Sequence, residues 1–200
     1  MLTLAFKNLS RHSAILITGL LLLSTQSFAN YSLDLKESSV HFLSTKNINI
    51  TEIHSFDKFS GNIDASGKLM LSIDLSSVNT LIPIRNERMR KMLFNVVKYA
   101  TAEFNANLDK SILSIKAGQV KNATIEGNLS MSGKIQAISF EVRIVGLQDG
   151  RIFATTTKPT LIHAEKFGLQ KGLEALREIA KLKQISTTVP LSFAVTFSPE

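Results

Sequence analysis

Apolar and polar residues alternate along most of the chain, a pattern typical of strands that expose one face to water. The clearest run is the last, where apolar residues stand at every second position from 189 to 197. Similar runs cover 69–76, 125–131 and 138–144, and weaker ones cover 31–35, 40–49, 56–65, 103–108, 112–117 and 151–157. Because neighbouring residues of a strand point to opposite faces, the pattern predicts antiparallel sheets with one wet face.

Two segments have helical spacing instead. Residues 83–97 place Met89, Leu93 and Val96 three or four apart behind Pro83, and residues 170–183 show the same spacing. Many strands with only two short helices leave a sandwich or a closed barrel. A barrel of about eight strands has room inside for side chains or for one small ligand. We therefore predict a single all-β domain, and the pattern leaves open whether its interior is filled or hollow.

The first 29 residues are typical of a secretory signal peptide. Lys7 and Arg11 precede an apolar run at 14–23, and Ala29 ends a small-x-small cleavage site. The alternative is an uncleaved membrane anchor, but the run is shorter than the ~20 residues that cross a bilayer. We expect cleavage after Ala29, export to a bacterial periplasm, and one folded domain at 30–200.

Composition narrows the chemistry further. The absence of cysteine excludes disulfides, thiolate metal sites, cysteine catalysis and a lipoprotein anchor. After Ala29 there are 21 basic and 16 acidic residues, scattered along the chain. This moderate excess suits transient contact with an anionic membrane surface and does not indicate nucleic-acid binding. His41, His54 and His163 lack the spacing of metal ligands, so we expect no metal, no cofactor and no catalytic residue.

A series of short motifs follows in order along the domain. They are YSLD at 31–34, SVHF at 39–42, FDKFSG at 56–61, IDLSSVNT at 73–80, IRNERMRKMLF at 84–94, YATAEF at 99–104, IEGNLSMSGK at 125–134 and FGL at 167–169. In order and spacing they resemble the YceI-like family of exported lipid- or polyisoprenoid-binding proteins. The chain departs from the family pattern at Tyr31, Asn86, Ala100, Ala137 and His163.

The resemblance implies a lipocalin-like antiparallel β-barrel whose elongated apolar tunnel holds an isoprenoid or fatty chain. The large apolar residues of the inward faces are then the candidates for the tunnel wall, with ordinary core packing as the alternative for each: Phe42, Phe56, Phe59, Leu71, Ile73, Phe104, Leu129, Phe140, Val142 and Phe193. Arg85 is expected to be structural, pairing with Asp74, Glu87 or strand carbonyls. The alternatives are a solvated basic face on this helix or a contact with a phosphate head group.

These observations favour a periplasmic, non-catalytic carrier of a long-chain amphiphile, a polyisoprenoid or fatty lipid. One alternative is an exported stress-response or interaction module with a solid core. Another is an enzyme that acts on lipids. We expect a monomer or a homodimer, and an exposed edge strand or the Met89 and Met92 face could support the dimer.

Overall fold

The computed structural model describes residues 29–200, so the predicted signal peptide lies, except for its last residue, outside the described residues. Twelve antiparallel strands dominate this part of the chain. They are β1 (Tyr31–Leu33), β2 (Ser39–Lys46), β3 (Ile50–Phe56), β4 (Phe59–Ile63), β5 (Lys68–Asp74), β6 (Val78–Asn79), β7 (Thr101–Asn107), β8 (Val120–Met131), β9 (Lys134–Gly146), β10 (Ile152–Thr156), β11 (Thr160–His163) and β12 (Thr188–Pro199).

Eight of the strands close into a barrel. The ring runs β1-β4-β5-β7-β8-β9-β10-β12 and returns to β1, because β12 pairs with both β10 and β1. The first half of β12 pairs instead with β11 and β2, and β2 continues the sheet to β3 and β6. The predicted fold class, an all-β antiparallel barrel of about eight strands with a few short helices, is confirmed.

The helices differ in detail from the prediction. They are α1 (Pro83–Arg88), which continues as a π-helical segment (Met89–Phe94), α2 (Lys110–Leu113) and α3 (Gln170–Ile179). The predicted helix at 83–97 ends at Phe94 because Asn95 takes a left-handed conformation, with φ of 49°. The strand predicted at 112–117 is wrong, because Asp109 accepts a hydrogen bond from the Ser111 amide and caps α2 there. No helix within 29–200 is long and apolar enough to cross a membrane.

The region between residues 40 and 65 holds three strands where two were predicted. The first ends at Lys46, and β3 begins at Ile50 after a tight turn. The alternation pattern does not predict β3, because its inward positions include polar Glu52 and His54, whereas apolar Ile53 faces outward and is 66% exposed. The usual alternation is therefore reversed over half of this strand.

The π-helical segment and α3 cover one end of the barrel and contact each other through their backbones. A Cβ atom placed on Gly172 of α3 would lie 2.6 Å from the Met92 carbonyl oxygen and 2.8 Å from Leu93 Cα. Only glycine permits so close an approach. Met89 is buried in the interior, so the dimer face predicted through Met89 and Met92 is wrong on this point.

Candidate ligand-binding interior

The inward faces of the barrel enclose two cavities, both lined by apolar side chains alone. The cavity next to the helices has a volume of about 100 Å³, and the cavity at the far side of the barrel has a volume of about 60 Å³. We call them the helix-side cavity and the far-side cavity. The helix-side cavity is lined by Phe42, Phe56, Ile73, Leu75, Met89, Leu93, Phe94, Ala102, Leu129, Met131, Ile162, Ala164, Leu169, Leu173, Val189 and Leu191. The far-side cavity is lined by Ile63, Leu69, Leu71, Phe104, Leu108, Ile112, Ile125, Phe140, Val142, Ile144, Ile152, Ala154, Phe193, Val195 and Phe197.

A layer of three phenylalanines lies at the boundary between the two cavities, which share no lining residue. Phe140 is at its centre and packs edge-on against Phe104 at 5.1 Å and against Phe193 at 5.3 Å between ring centroids. On β12, Phe193 lines the far-side cavity and Leu191 the helix-side cavity. The interior is therefore a single apolar column that the phenylalanine layer divides in two.

The structure places nine of the ten predicted tunnel residues on these walls. Five lie in the far-side cavity (Leu71, Phe104, Phe140, Val142 and Phe193) and four in the helix-side cavity (Phe42, Phe56, Ile73 and Leu129). Phe59 is the exception: it is buried but lines neither cavity, because it begins β4 directly after the turn from β3. Whether these side chains touch a ligand stays a prediction.

Sequence reasoning missed the part of the wall that comes from outside the strands. Met89, Leu93, Leu169 and Leu173 line the helix-side cavity from the π-helical segment and from α3 and the residue preceding it. Helical spacing showed that two of these segments had an apolar face. It could not show that this face closes the end of the barrel.

A small polar cluster borders the helix-side cavity, and we call it the inner polar cluster: Ser44, Lys46, Glu52, His54 and Arg85. Along β3, Phe56, His54 and Glu52 occupy successive inward positions, so the cluster follows the apolar wall without a break. One carboxylate oxygen, Oε2 of Glu52, receives both Lys46 Nζ at 2.6 Å and Arg85 at 2.8 Å. Ser44 Oγ lies 2.8 Å from His54 Nε2.

Arg85 pairs with a carboxylate, as one of the sequence hypotheses expected, but this carboxylate belongs to Glu52. It donates to Glu52 and to the Thr80 carbonyl oxygen, each at 2.8 Å. Asp74 and Glu87, the partners named from the sequence, bond to other groups within their own segments. Glu52 was missed because β3 itself was not recognised. The structure thus joins α1 to β3 through this ion pair.

The electrostatics of the cluster favour an anion or another hydrogen-bonding group. The hydrogen bond from Lys46, with help from Arg85, lowers the pKa of Glu52. Burial, followed by repulsion from Arg85, lowers the pKa of His54, which keeps this ring neutral. With two cations, one carboxylate and a neutral histidine, the cluster carries one net positive charge.

Two nitrogens of the cluster are buried without a regular hydrogen bond. They are Nε of Arg85 and Nδ1 of His54. The Ile53 backbone raises the pKa of His54 by less than burial lowers it. Unsatisfied buried polar atoms cost about 1–3 kcal/mol each, so a polar group reaching them would gain stabilisation. Within residues 29–200, no group of three or more His, Asp or Glu side chains could hold a metal ion.

A closed antiparallel barrel with an apolar interior and a polar cluster at one end has the architecture of the barrels that enclose small ligands. The chain belongs to the YceI-like family, because the model of the YceI-like domain matches residues 31–197. The resemblance seen in the sequence motifs is confirmed. No curated protein sequence matches the chain significantly.

Solved structures give the same assignment. A polyisoprenoid binding domain from Saccharophagus degradans, described as implicated in plant cell wall breakdown, is 35% identical with a TM-score of 0.82, covering 85% of this chain and 98% of its own. BcnA of Burkholderia cenocepacia is 21% identical with a TM-score of 0.59, covering 82% and 98%. The YceI protein of Campylobacter jejuni is 20% identical with a TM-score of 0.53, covering 74% and 84%. The last two support the fold alone.

Proposed function

We propose that this protein is a periplasmic, non-catalytic carrier of a long-chain amphiphile, a polyisoprenoid or fatty lipid, held in the barrel interior. The observation that carries the proposal is the apolar column, whose two cavities have no polar lining residue. Each buried methylene contributes about 0.8 kcal/mol, so a long chain binds such a column with few hydrogen bonds. The polyisoprenoid binding domain with 35% identity supports the same class of ligand.

We further propose that the inner polar cluster receives the polar end of the amphiphile, and that this end is an anion such as a phosphate or carboxylate. The net positive charge of the cluster and the unpaired Nε of Arg85 support this orientation. The apolar chain would then extend through the helix-side cavity toward the phenylalanine layer. Arg85→Met removes the donors and keeps an unbranched apolar stem, so it should weaken binding of a polyprenyl phosphate more than binding of the parent polyprenol.

Export is the second part of the proposal, and the sequence of residues 1–29 supports it. Mass spectrometry of the protein from the periplasmic fraction should show Asn30 as its first residue. A protein that retains residues 1–29, or that stays in the cytoplasm, would contradict this part and leave the ligand proposal intact.

One observation favours the alternative function, an exported interaction module with a packed core. The free volume of the two cavities is small, and the phenylalanine layer fills the space between them. A carrier with this interior must move side chains to admit a long chain. A packed module needs no such movement.

Native mass spectrometry of gently purified protein separates these functions. A carrier gives a co-purifying mass that organic solvent extracts, or takes up an added polyprenol or polyprenyl phosphate with a rise in melting temperature. A bare chain mass with no uptake of either probe, or of a fatty acid, supports the packed module. Chemical turnover of the probe would support the lipid-acting enzyme instead.

A further inference from the structure

One end of the molecule exposes a group of large apolar side chains. Six of the thirteen exposed large apolar residues within 29–200 lie in two short segments, 48–53 and 81–84. We call this group the apolar rim: Ile48, Ile50, Ile53, Leu81, Ile82 and Ile84. The most exposed are Leu81 at 86% and Ile48 at 79%. Single exposed apolar residues are ordinary, whereas a local concentration marks an interaction surface.

The two segments of the rim are joined to each other and lie beyond the inner polar cluster. The ion pair between Glu52 and Arg85, at 2.8 Å, connects the start of β3 to α1. Inward positions of β3 lead from Phe56 on the cavity wall to Glu52, and then to Ile50 at the rim. At about 3.3 Å per residue, this path spans roughly 20 Å. On the inward face of β3, the cavity wall, the polar cluster and Ile50 of the rim therefore follow one another, whereas Ile53 of the rim lies on the outward face of the same strand.

The positive charge of the domain is concentrated around the rim. Segments 46–53, 79–91 and 180–185 contain seven basic and two acidic residues, whereas the rest of the described chain has equal numbers of each. Segment 180–185 lies against the turn between β2 and β3: the Asn47 amide donates to the Gln184 carbonyl, and the Lys183 amide donates to Asn47 Oδ1. Apolar side chains within a basic surround are complementary to an anionic lipid surface.

Two residues of the rim have a left-handed backbone conformation. Ile48 and Leu81 have positive φ values of 77° and 61°. Left-handed conformations are unfavourable for L-residues and rare for β-branched ones, and Asn or Gly adopts them at lower cost. Both side chains nevertheless point into solvent. The fold therefore holds two large apolar side chains outward at the rim, where a lipid layer would cover them.

We propose that the apolar rim is a docking surface for anionic membranes, which inserts Ile48 and Leu81 among the lipids and places the inner polar cluster next to the bilayer. The inference rests on the proposed function as a lipid carrier and names the partner from which the ligand comes. A second copy of the chain or another protein is the competing occupant. The membrane is favoured because the three segments at the rim carry seven basic and two acidic residues, an excess that remains when the adjacent Asp57, which accepts a hydrogen bond from Asn79, and the neighbouring Arg177–Glu174 pair are included.

The test is co-sedimentation of the purified protein with vesicles of phosphatidylcholine, with or without phosphatidylglycerol. The double variant Ile48→Asn with Leu81→Asn should bind phosphatidylglycerol vesicles at least about tenfold more weakly, because two buried side chains are lost. Its melting temperature should be equal or higher, because Asn tolerates the left-handed backbone. A purely structural role for these residues would lower it.

Two further variants complete the test. Val120 is 60% exposed on β8 and pairs with Val145, outside the rim, so Val120→Thr is the matched control and should bind as the unmodified protein does. Lys181→Glu with Lys183→Glu should weaken binding to phosphatidylglycerol vesicles and leave weak binding to pure phosphatidylcholine unchanged. High salt should reproduce this effect.

Unchanged vesicle binding of the double Asn variant would overturn the proposal. The proposal would also be overturned if the unmodified protein formed a dimer and did not bind vesicles, and if the double Asn variant were a monomer. The rim would then contact a second copy of the chain. Binding of a soluble polyprenyl phosphate, measured without vesicles, reports the proposed function separately. A variant that no longer binds vesicles but still binds the polyprenyl phosphate supports the docking surface. If neither the unmodified protein nor any variant binds the polyprenyl phosphate, the proposed carrier function is contradicted, whereas the docking surface is not.

Discussion

Replacement of Phe140 by alanine is the most informative perturbation of the interior. Phe140 is 7% exposed and is the central member of the phenylalanine layer, with one edge-on partner on each side. Truncation of a buried Phe to Ala costs about 3–5 kcal/mol. Each aromatic pair adds about 0.5–1.5 kcal/mol beyond its buried area. We therefore expect a loss of about 4 kcal/mol or more in the free energy of unfolding of the ligand-free protein.

The same change should alter ligand selection. With the central ring removed, the two cavities join, and a long chain no longer has to displace the layer. We expect the long polyprenol to stabilise Phe140→Ala more than it stabilises the unmodified protein, whereas a short prenol such as farnesol should stabilise both equally. The assay is urea unfolding with and without each saturating prenol, since ligand that binds only the folded state raises the free energy of unfolding.

Phe59→Ala is the matched control. Phe59 is also buried, but it lines neither cavity and has no aromatic partner among the described residues. It should lose about 3 kcal/mol without any change in the preference for chain length. If both alanine variants respond to the long polyprenol alike, the phenylalanine layer does not divide the binding column. If Phe140→Ala loses less than about 1 kcal/mol, the packing assigned to Phe140 is wrong.

Three further predictions concern the interior and its polar border. The free energy of unfolding should fall as the pH drops below about 6.5, because His54 takes up a proton more readily in the unfolded chain than in its buried position. In urea unfolding between about pH 5 and pH 7, His54→Asn should reduce this dependence on pH, and an unaltered dependence would exclude His54 as its cause. Glu52→Gln should lower the free energy of unfolding by about 1 kcal/mol at pH 7, because Glu52 is half-buried and two cations lose their partner. This loss should disappear as the pH falls through the lowered pKa of Glu52, and a loss that does not change with pH would contradict the ion-pair explanation. Gly127→Ala should cost about 1–3 kcal/mol, because its Cβ would meet the Asn105 carbonyl oxygen and lie 2.5 Å from the end of the Phe104 ring. An unchanged melting curve and near-ultraviolet spectrum would show that the site has room.

The barrel could be predicted wherever one face of a strand is uniformly apolar. On β12, Leu191, Phe193 and Val195 all face inward at alternate positions, and β8 and β9 follow the same rule. On β3 some inward residues are polar and Ile53 faces solvent, so the alternation of inward apolar and outward polar residues is absent. Strand β11 is only four residues long and was also missed. Alternation thus detects strands that pack against an apolar core and fails where polar side chains face inward.

The same principle separates the predictable part of the site from the rest. Most of the apolar wall followed from the alternation of inward positions. The inner polar cluster did not, because Glu52 and Arg85 are 33 residues apart and meet only through the closure of the fold. Arg85 could be selected as structural from its chemistry alone. Its partner could not, since charge and spacing allowed several carboxylates equally well.

The contact at Gly172 restricts how any guest could reach the interior. At Gly172 the backbone of α3 lies directly on the backbone of the π-helical segment, so no layer of side chains separates the two elements at this point. These two elements form one rigid cap, and separating them would expose main-chain atoms rather than a passage. Along the border with β3, by contrast, a half-exposed ion pair between Glu52 and Arg85 ties α1 to the sheet. Opening this border breaks the side-chain contacts of Arg85 with Glu52 and with the Thr80 carbonyl oxygen, without separating two closely packed helix backbones, so we expect a guest to enter there.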